Sequence, residues 1–224
     1  MKIIRSHVSE GLITLSNKTI LITAFEPFGN DDVNPSISVE NGLQAPDEST
    51  SLVKMELPVE FGRAPELAAA KAREIGADAI VCLGLASGRK DLSMELIGIN
   101  HQNARIADNA GYQPQAKRIM DGEADGLFAS VPVYDMAQAS LNAGILASVS
   151  TTAGTYVCND LLFELLSQFK NTPVKVGFIH VPAIEGMNKV WMSEADSIRG
   201  VQAALGVLFK DEETKQTSHF GAES

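Results

Sequence analysis

Cys158 is the residue whose surroundings most favour chemistry. It follows a β-branched run and Gly154, which can turn the chain without a Cβ clash, and it precedes a leucine-rich segment. The leucines and Phe169 recur at helical spacing, so Cys158 falls in the first turn of a predicted helix. Unpaired backbone N–H groups and the positive end of the helix dipole stabilise a thiolate at such a position. The pattern indicates a nucleophile, and a small buried structural cysteine is the alternative.

Two further side chains could complete a nucleophilic site. His180 ends an apolar run, and Glu95 lies in an alternating segment that places Ile97 and Ile99 on its own face. A cysteine nucleophile needs a base for its proton, and the base needs an acceptor that orients it. We expect these groups to meet because catalytic groups gather at the carboxyl ends of parallel strands. The alternatives are a core histidine and an outward-facing carboxylate, and His101, in a polar stretch, is a rival base.

Strand-like and helix-like segments alternate along the chain and must position these groups. Strands are predicted over 19–25, 51–57, 78–83, 92–99, 145–150 and 174–181, and helices over 35–42, 64–75, 134–142, 157–169 and 193–209. The alternation predicts a single α/β domain in which a mainly parallel twisted sheet carries helices on both faces, an α/β/α sandwich. Residues 100–126 are polar and aperiodic, which predicts a long functional loop or a lid over the substrate.

The composition limits the classes of function. With 224 residues and 45% hydrophobic content, the chain can bury a full core without a metal or a disulfide. Acidic residues outnumber basic ones by 28 to 18, and this net charge of −10 disfavours nucleic-acid and membrane partners. Neither Cys82, in a predicted strand, nor Cys158 has a partner at zinc or disulfide spacing. The N-terminal segment lacks the apolar stretch of a signal peptide, and no run could span a bilayer, so we predict a soluble cytoplasmic protein.

Several short segments together resemble one known family. They are Phe25-Glu26-Pro27-Phe28-Gly29 with Asn34-Pro35-Ser36, Gly88-Arg89 before Glu95, Ala104-Arg105-Ile106-Ala107-Asp108-Asn109, Gly154-Thr155-Tyr156-Val157-Cys158-Asn159 and Phe178-Ile179-His180-Val181-Pro182. In this order and at these separations they resemble the pyroglutamyl peptidase I family of cysteine peptidases. The resemblance covers residues 18–210. Residues 1–17 are therefore predicted to be an N-terminal extension, and residues 211–224 a polar C-terminal tail.

The resemblance implies that N-terminal pyroglutamyl residues are removed from peptides through an acyl-enzyme. It implies Cys158 as the nucleophile, His180 as the general base and then acid, and Glu95 as the group that orients the imidazole. It also implies that the reaction uses no cofactor and no metal, and that the protein is a homotetramer. The oxyanion would bind to backbone N–H groups at the start of the helix that carries the cysteine, with help from Arg105.

The resemblance also implies a binding pocket for the lactam ring of the substrate. Asn34 would donate to the lactam carbonyl, and position 85 would lie at the edge of the ring. The side chains that would enclose the ring are apolar or aromatic: Phe25, Phe28, Ile106, Tyr156 and Val157. The alternative for the phenylalanines is ordinary core packing beside a glycine turn.

Some positions depart from the pattern of the family. Leu85 stands where glutamine is usual, Ser87 where glycine is usual and Leu96 where arginine is common, while Tyr156 and Asp160 replace phenylalanine and histidine. A side-chain amide lost at position 85 would weaken recognition of a lactam, whereas a backbone carbonyl used there would be unaffected. Two other functions therefore remain open: a cysteine amidase for a different small lactam or acyl-capped substrate, and a non-catalytic oligomeric binder.

Overall fold

The computed structural model describes residues 17–29, 33–185, 187 and 191–210. The predicted tail, and all but Asn17 of the predicted extension, lie outside these residues. The strands are β1 Lys18–Phe25, β2 Thr50–Leu57, β3 Ala79–Leu85, β4 Leu92–Glu95, β5 Ile97–Ile99, β6 Gly126–Phe128, β7 Ala147–Ser150 and β8 Lys175–Val181. The helices are α1 Pro35–Gly42, α2 Arg63–Glu74, α3 Val133–Asn142, α4 Val157–Phe169 and α5 Glu194–Leu205.

Six of the strands form one twisted sheet in the order β2-β1-β3-β8-β4-β7. Neighbouring strands run parallel except β4 and β8, which are antiparallel. One face of the sheet packs against α1, α3 and α5, represented by Val39, Met136 and Val201. The other face packs against α2 and α4, represented by Ala68 and Leu161. The prediction of a mainly parallel sheet between two helical layers is confirmed.

The predicted strand 92–99 is two strands in the structure. β4 belongs to the main sheet, and after Leu96 the chain leaves it as β5, which pairs with β6 in a separate antiparallel sheet. Gly98 permits a close approach of β5 to α4, because a Cβ at that position would lie 3.0 Å from the backbone of Phe163. Only a residue without a side chain lets β5 lie this close to the helix.

The long loop predicted over 100–126 is anchored to the rest of the domain. Asn100 accepts from the amides of Ile119 and Met120 through Oδ1 and donates to the carbonyl of Ala124. Nε2 of Gln102 donates to Oδ1 of Asp160, a residue of α4, at a distance of 2.6 Å. The loop therefore contacts and stabilises the first turn of α4. None of the helices in the described part of the chain is long and apolar enough to cross a bilayer.

Candidate active site

A sharp turn delivers Cys158 to the site. Gly154 has a φ of +80°, a left-handed conformation that favours glycine, and it lies between the end of β7 and the start of α4. Tyr156 is the extended N-cap residue, so Cys158 is the second residue of the helix. The first helical hydrogen bond runs from the amide of Asp160 to the carbonyl of Tyr156, which leaves the preceding amides unpaired within the helix. The predicted strand, turn and helix are all present.

Cys158 and His180 both lie next to Gly84 of β3. Gly84 of β3 is the parallel neighbour of His180 in β8. A Cβ built on Gly84 would lie 3.0 Å from Sγ of Cys158 and 2.7 Å from the ring of Phe178. The thiol therefore lies over the backbone of β3, beside the strand that carries the imidazole. No hydrogen bond joins these two described residues.

Glu95 forms the contact that the sequence pattern predicts. Its Oε1 lies 2.7 Å from Nδ1 of His180 and also accepts from Nη1 of Arg89 at 2.6 Å. Glu95 is fully buried, and its other oxygen, Oε2, has no hydrogen-bond partner. The glutamate comes from β4, which runs antiparallel to β8, so it meets His180 diagonally across the strand pair. The expectation that these groups gather at the carboxyl ends of parallel strands therefore holds for His180 alone, because β4, which ends at Glu95, and β7, which precedes Cys158, both run opposite to β8.

Burial dominates the protonation of the thiol. It raises the pKa of Cys158 to about 12, and the negative charge of Glu95 acts in the same direction. The backbone N–H of Cys158 and the charge of Arg89 oppose the rise, but they are the smaller effects. The helix start therefore favours the thiolate less than the sequence position alone indicates. The proton stays on sulfur until a base removes it.

A cavity that is partly open to solvent lies beside the thiol, and it measures about 250 Å³ when the open space at its mouth is included. Cys158 lies in its wall. The wall also contains most of the side chains expected to bind the substrate: Phe25, Phe28, Asn34, Leu85, Tyr156 and Val157. The rings of Phe28 and Tyr156 lie 6.1 Å apart. Sequence reasoning missed one further wall residue, Val59, which lies two positions after the end of β2. The carboxyl-end rule could have found it, because β2 is parallel to β1 and β3.

Asn34 has a structural task as well as a place in the cavity wall. Its Oδ1 accepts from the backbone amide of Ser36 at 3.1 Å and from the hydroxyl of Ser36 at 2.8 Å, and it thereby caps α1. Its Nδ2 donates to the carbonyl of Glu26 at 3.1 Å. One Nδ2 proton remains for a ligand. The side chain is thus held rigidly with a donor to spare.

Two of the expected substrate-binding residues lie outside the cavity wall. Arg105 and Ile106 are exposed, in the long loop. Ile106 approaches the turn after β1, where its Cδ1 is 3.8 Å from a Cβ built on Gly29. The hydroxyl of Tyr156 donates to the carbonyl of Ala107 at 2.9 Å, so this stretch borders the cavity through Tyr156. His101, the rival base, is absent from the wall.

The rest of the described chain offers no obvious metal centre. Among the described residues, no three His, Cys, Asp or Glu side chains are grouped as metal ligands would be. Both cysteines are free, and Cys82 is fully buried in β3. A thiol with an imidazole and a carboxylate nearby can perform nucleophilic attack.

Comparison with known proteins agrees with the geometry. The family model for pyroglutamyl peptidase matches residues 18–210. The chain is 37% identical over 198 residues to pyrrolidone-carboxylate peptidase 1 of Caldanaerobacter subterraneus, covering 85% of this chain and 98% of that one. A crystal structure of pyroglutamyl peptidase I from Bacillus amyloliquefaciens superposes with a TM-score of 0.84 at 30% identity, covering 90% of this chain and all of that one. The pyrrolidone carboxyl peptidase of Thermococcus litoralis gives a TM-score of 0.80 at 32% identity, over 85% of this chain and 93% of that one. The chain belongs to the pyroglutamyl peptidase family of cysteine peptidases.

Proposed function

We propose that this protein is a cysteine peptidase that removes N-terminal pyroglutamyl residues from peptides. The observation that carries the proposal is the Glu95–His180 contact of 2.7 Å beside Cys158, at the edge of an apolar cavity. A small lactam ring has apolar faces and one polar edge, and the cavity wall is apolar apart from Asn34 and the thiol. Membership of the family supports the same substrate.

The proposed reaction passes through a thioester. His180 takes the proton from Cys158 through Nε2, and Sγ attacks the carbonyl carbon between pyroglutamate and the next residue. Unpaired amides at the start of α4 hold the oxyanion, with Arg105 as a further donor. The tetrahedral intermediate expels the peptide amine, which takes its proton from His180. Water, activated by His180, then hydrolyses the thioester and restores the thiol.

Turnover of a chromogenic pyroglutamyl amide by the reduced protein tests this proposal. Wild type should hydrolyse the amide, and Cys158→Ala should lose activity by at least about a thousandfold, because it removes the sulfur that forms the thioester. Cys82→Ala is the matched control, since it removes the other thiol from the core without touching the cavity. No turnover by folded, reduced wild type would contradict the proposal.

A second candidate keeps the thiol chemistry and changes the acyl group. Leu85 lines the cavity with an apolar side chain, and the wall contains few polar groups that could accept a hydrogen bond from a lactam N–H. The protein could therefore be an amidase for another small acyl cap. A panel of acyl amides decides between the two candidates. A clear preference for pyroglutamyl over carbocyclic amides of the same size removes the second candidate, and Leu85→Gln should then sharpen the preference.

We propose that the protein acts in the cytoplasm as a homo-oligomer, a tetramer by family resemblance. Two free cysteines suit a reducing compartment. Phe128 and Leu146 are large apolar side chains with exposed fractions of 67% and 65%, and they supply apolar surface for association. The proposed partners are thus peptides with an N-terminal pyroglutamate and further copies of this chain, without nucleic acid or membrane.

A further inference from the structure

Arg89 adds a side-chain link between Glu95 and the turn before Cys158, beyond the backbone pairing of Glu95 in β4 with Ser150 in β7. Its Nη1 donates to Oε1 of Glu95 at 2.6 Å, the same oxygen that contacts His180. Its Nη2 donates to the carbonyl oxygen of Thr152 at 2.7 Å, in the turn that leads from β7 to Cys158. A guanidinium is planar and presents its donors in a fixed fork, so the two contacts constrain each other. The side chain of Arg89 therefore links the carboxylate of Glu95 to the turn that precedes Cys158.

The charge of Arg89 matters because Glu95 has no access to solvent. A buried carboxylate is costly unless a cation or several donors compensate it. Three ionisable groups face Glu95: Arg89 from the loop after β3, His180 from β8 and Cys158 from α4. Among these three, only Arg89 carries a permanent positive charge. The guanidinium thus compensates the charge of Glu95 in every protonation state of the other two.

The protonation of Glu95 decides which nitrogen of His180 can act as a base. An ionised Glu95 can only accept, so Nδ1 must carry the ring proton, and Nε2 of a neutral imidazole is then free to take a proton. A protonated Glu95 would donate to Nδ1 instead. The ring proton would then move to Nε2, where it blocks the removal of the thiol proton.

We propose that Arg89 is a positioning residue for the reaction proposed above: it keeps Glu95 ionised, and through Glu95 it holds His180 in the tautomer that can deprotonate Cys158. The inference rests on the proposed function. Arg89 acts through Glu95 and the turn at Thr152, and it is not among the residues that line the cavity.

Trp191, from the segment between β8 and α5, contacts the loop that carries Arg89 and can report on it. The indole N–H of Trp191 donates to the carbonyl of Ser87 at 2.9 Å, and Nζ of Lys90 lies 4.8 Å from the centre of the indole ring. Trp191 is the single tryptophan of the chain. Its fluorescence therefore reports whether a change at Arg89 has displaced the loop.

The test compares three variants of Arg89 in the full chain. Arg89→Met removes the charge and keeps the length, Arg89→Lys keeps the charge without the fork, and Arg89→Ala leaves space for an added guanidinium ion. Arg63→Met is the matched control, because Arg63 pairs with Glu66 on the exposed surface of α2. The readouts are kcat and KM against pH, the rate of alkylation of Cys158 by iodoacetamide against pH, and tryptophan fluorescence.

We expect Arg89→Met to lower kcat roughly 100-fold with little change in KM, and to move the acidic limb of the rate profile to higher pH. Arg89→Lys should keep that limb in place. Millimolar guanidinium chloride, but not urea, should restore part of the activity of Arg89→Ala. The control should match wild type throughout.

The proposal is overturned if Arg89→Met retains kcat within about threefold of wild type. It is equally overturned if kcat falls with an unchanged acidic limb and without guanidinium rescue, because that combination describes a merely structural role. Where Arg89→Met does not fold, the rescue of Arg89→Ala decides. Should wild type fail to cleave pyroglutamyl amides, the alkylation profiles still test Arg89, so this inference and the proposed function fail separately.

Discussion

At the scale of single residues, the environment of Cys158 determines how its thiol must be activated. Burial raises its pKa to about 12, and the charge of Glu95 adds to the rise. Only a small fraction of the thiol is therefore ionised at neutral pH, even though the residue lies in the first turn of a helix. Activation must come from proton transfer to His180 at the moment of attack.

Alkylation of Cys158 measures this dependence directly. We expect iodoacetamide to modify Cys158 in wild type at neutral pH with the help of His180, and to modify it at least about tenfold more slowly in His180→Ala. In that variant the rate should climb with pH above 9, as the lone thiol ionises toward its raised pKa of about 12. Mass spectrometry separates the product from any at Cys82. Equal rates in the two proteins at neutral pH would instead favour a non-catalytic binder.

At the scale of elements, the short helix α1 depends on a side chain that also faces the cavity. Asn34 caps α1 through Oδ1 and keeps one Nδ2 proton available, so its structural and binding tasks use different atoms. Substitutions can therefore separate the two tasks.

A pair of variants at Asn34 tests this separation. Asn34→Ala removes the cap and should lower the free energy of unfolding by about 1–2 kcal/mol. Asn34→Asp keeps a capping oxygen but places a carboxylate oxygen against the carbonyl of Glu26, so it should recover only part of that stability. Both variants should raise KM for a pyroglutamyl amide about tenfold, because both lose the donor for the lactam carbonyl. An unchanged KM in Asn34→Asp would reduce Asn34 to a structural residue.

α4 carries a second titratable group whose burial affects stability. Burial raises the pKa of Glu164 from 4.5 to about 7, and the nearby charge of Asp160 raises it further. The folded protein binds the proton of Glu164 more tightly than the unfolded chain does. The stabilisation from this group is therefore complete below about pH 4.5 and is lost as the pH rises through about 7.

Glu164→Gln should remove this pH dependence. At pH 8 the variant should be more stable than wild type by about 1–2 kcal/mol, a range that allows for the solvent that reaches the half-buried carboxylate. The advantage should shrink as the pH falls toward 4.5. Urea titrations at several pH values measure it, with Glu66→Gln on the exposed surface of α2 as the control. A constant difference at all pH values would contradict the assignment to Glu164.

At the scale of the whole molecule, charge and apolar surface act in opposite directions. The net charge of −10 keeps copies of the chain apart at low salt, whereas exposed side chains such as Phe128 and Leu146 favour association. A closed homo-oligomer would reconcile the two, because it buries the apolar side chains and leaves the charge outside.

Sedimentation velocity at two salt concentrations tests the proposed tetramer. We expect a species of four times the chain mass of 23.9 kDa, favoured by higher salt because salt screens the repulsion. Phe128→Asp and Leu146→Asp, made separately, should reveal which apolar side chain lies in a contact, and Glu66→Lys serves as a surface control. A monomer at all concentrations would contradict the tetramer.

Local signals in the sequence were enough to predict the structure around the nucleophile and the class of fold. The predicted helix over 157–169 has the bounds of α4, because its leucine spacing and the preceding Gly154 are local signals. The alternation of strands and helices was sufficient to predict a mainly parallel sheet between two helical layers. The family motifs indicated Glu95 and His180, which the structure brings into contact.

Packing in three dimensions set the features that hydrophobic periodicity does not encode. A hydrophobic pattern shows which face of a strand is buried but not which strand lies beside it or in which direction it runs. The reversed direction of β4, the departure of the chain at Leu96, the place of Val59 in the cavity and the link from Arg89 through Glu95 to His180 therefore appear only in three dimensions. The raised pKa of Cys158 also depends on the tertiary structure. Burial and the charge of Glu95, which packing places beside the thiol, raise this pKa more than the start of the helix lowers it.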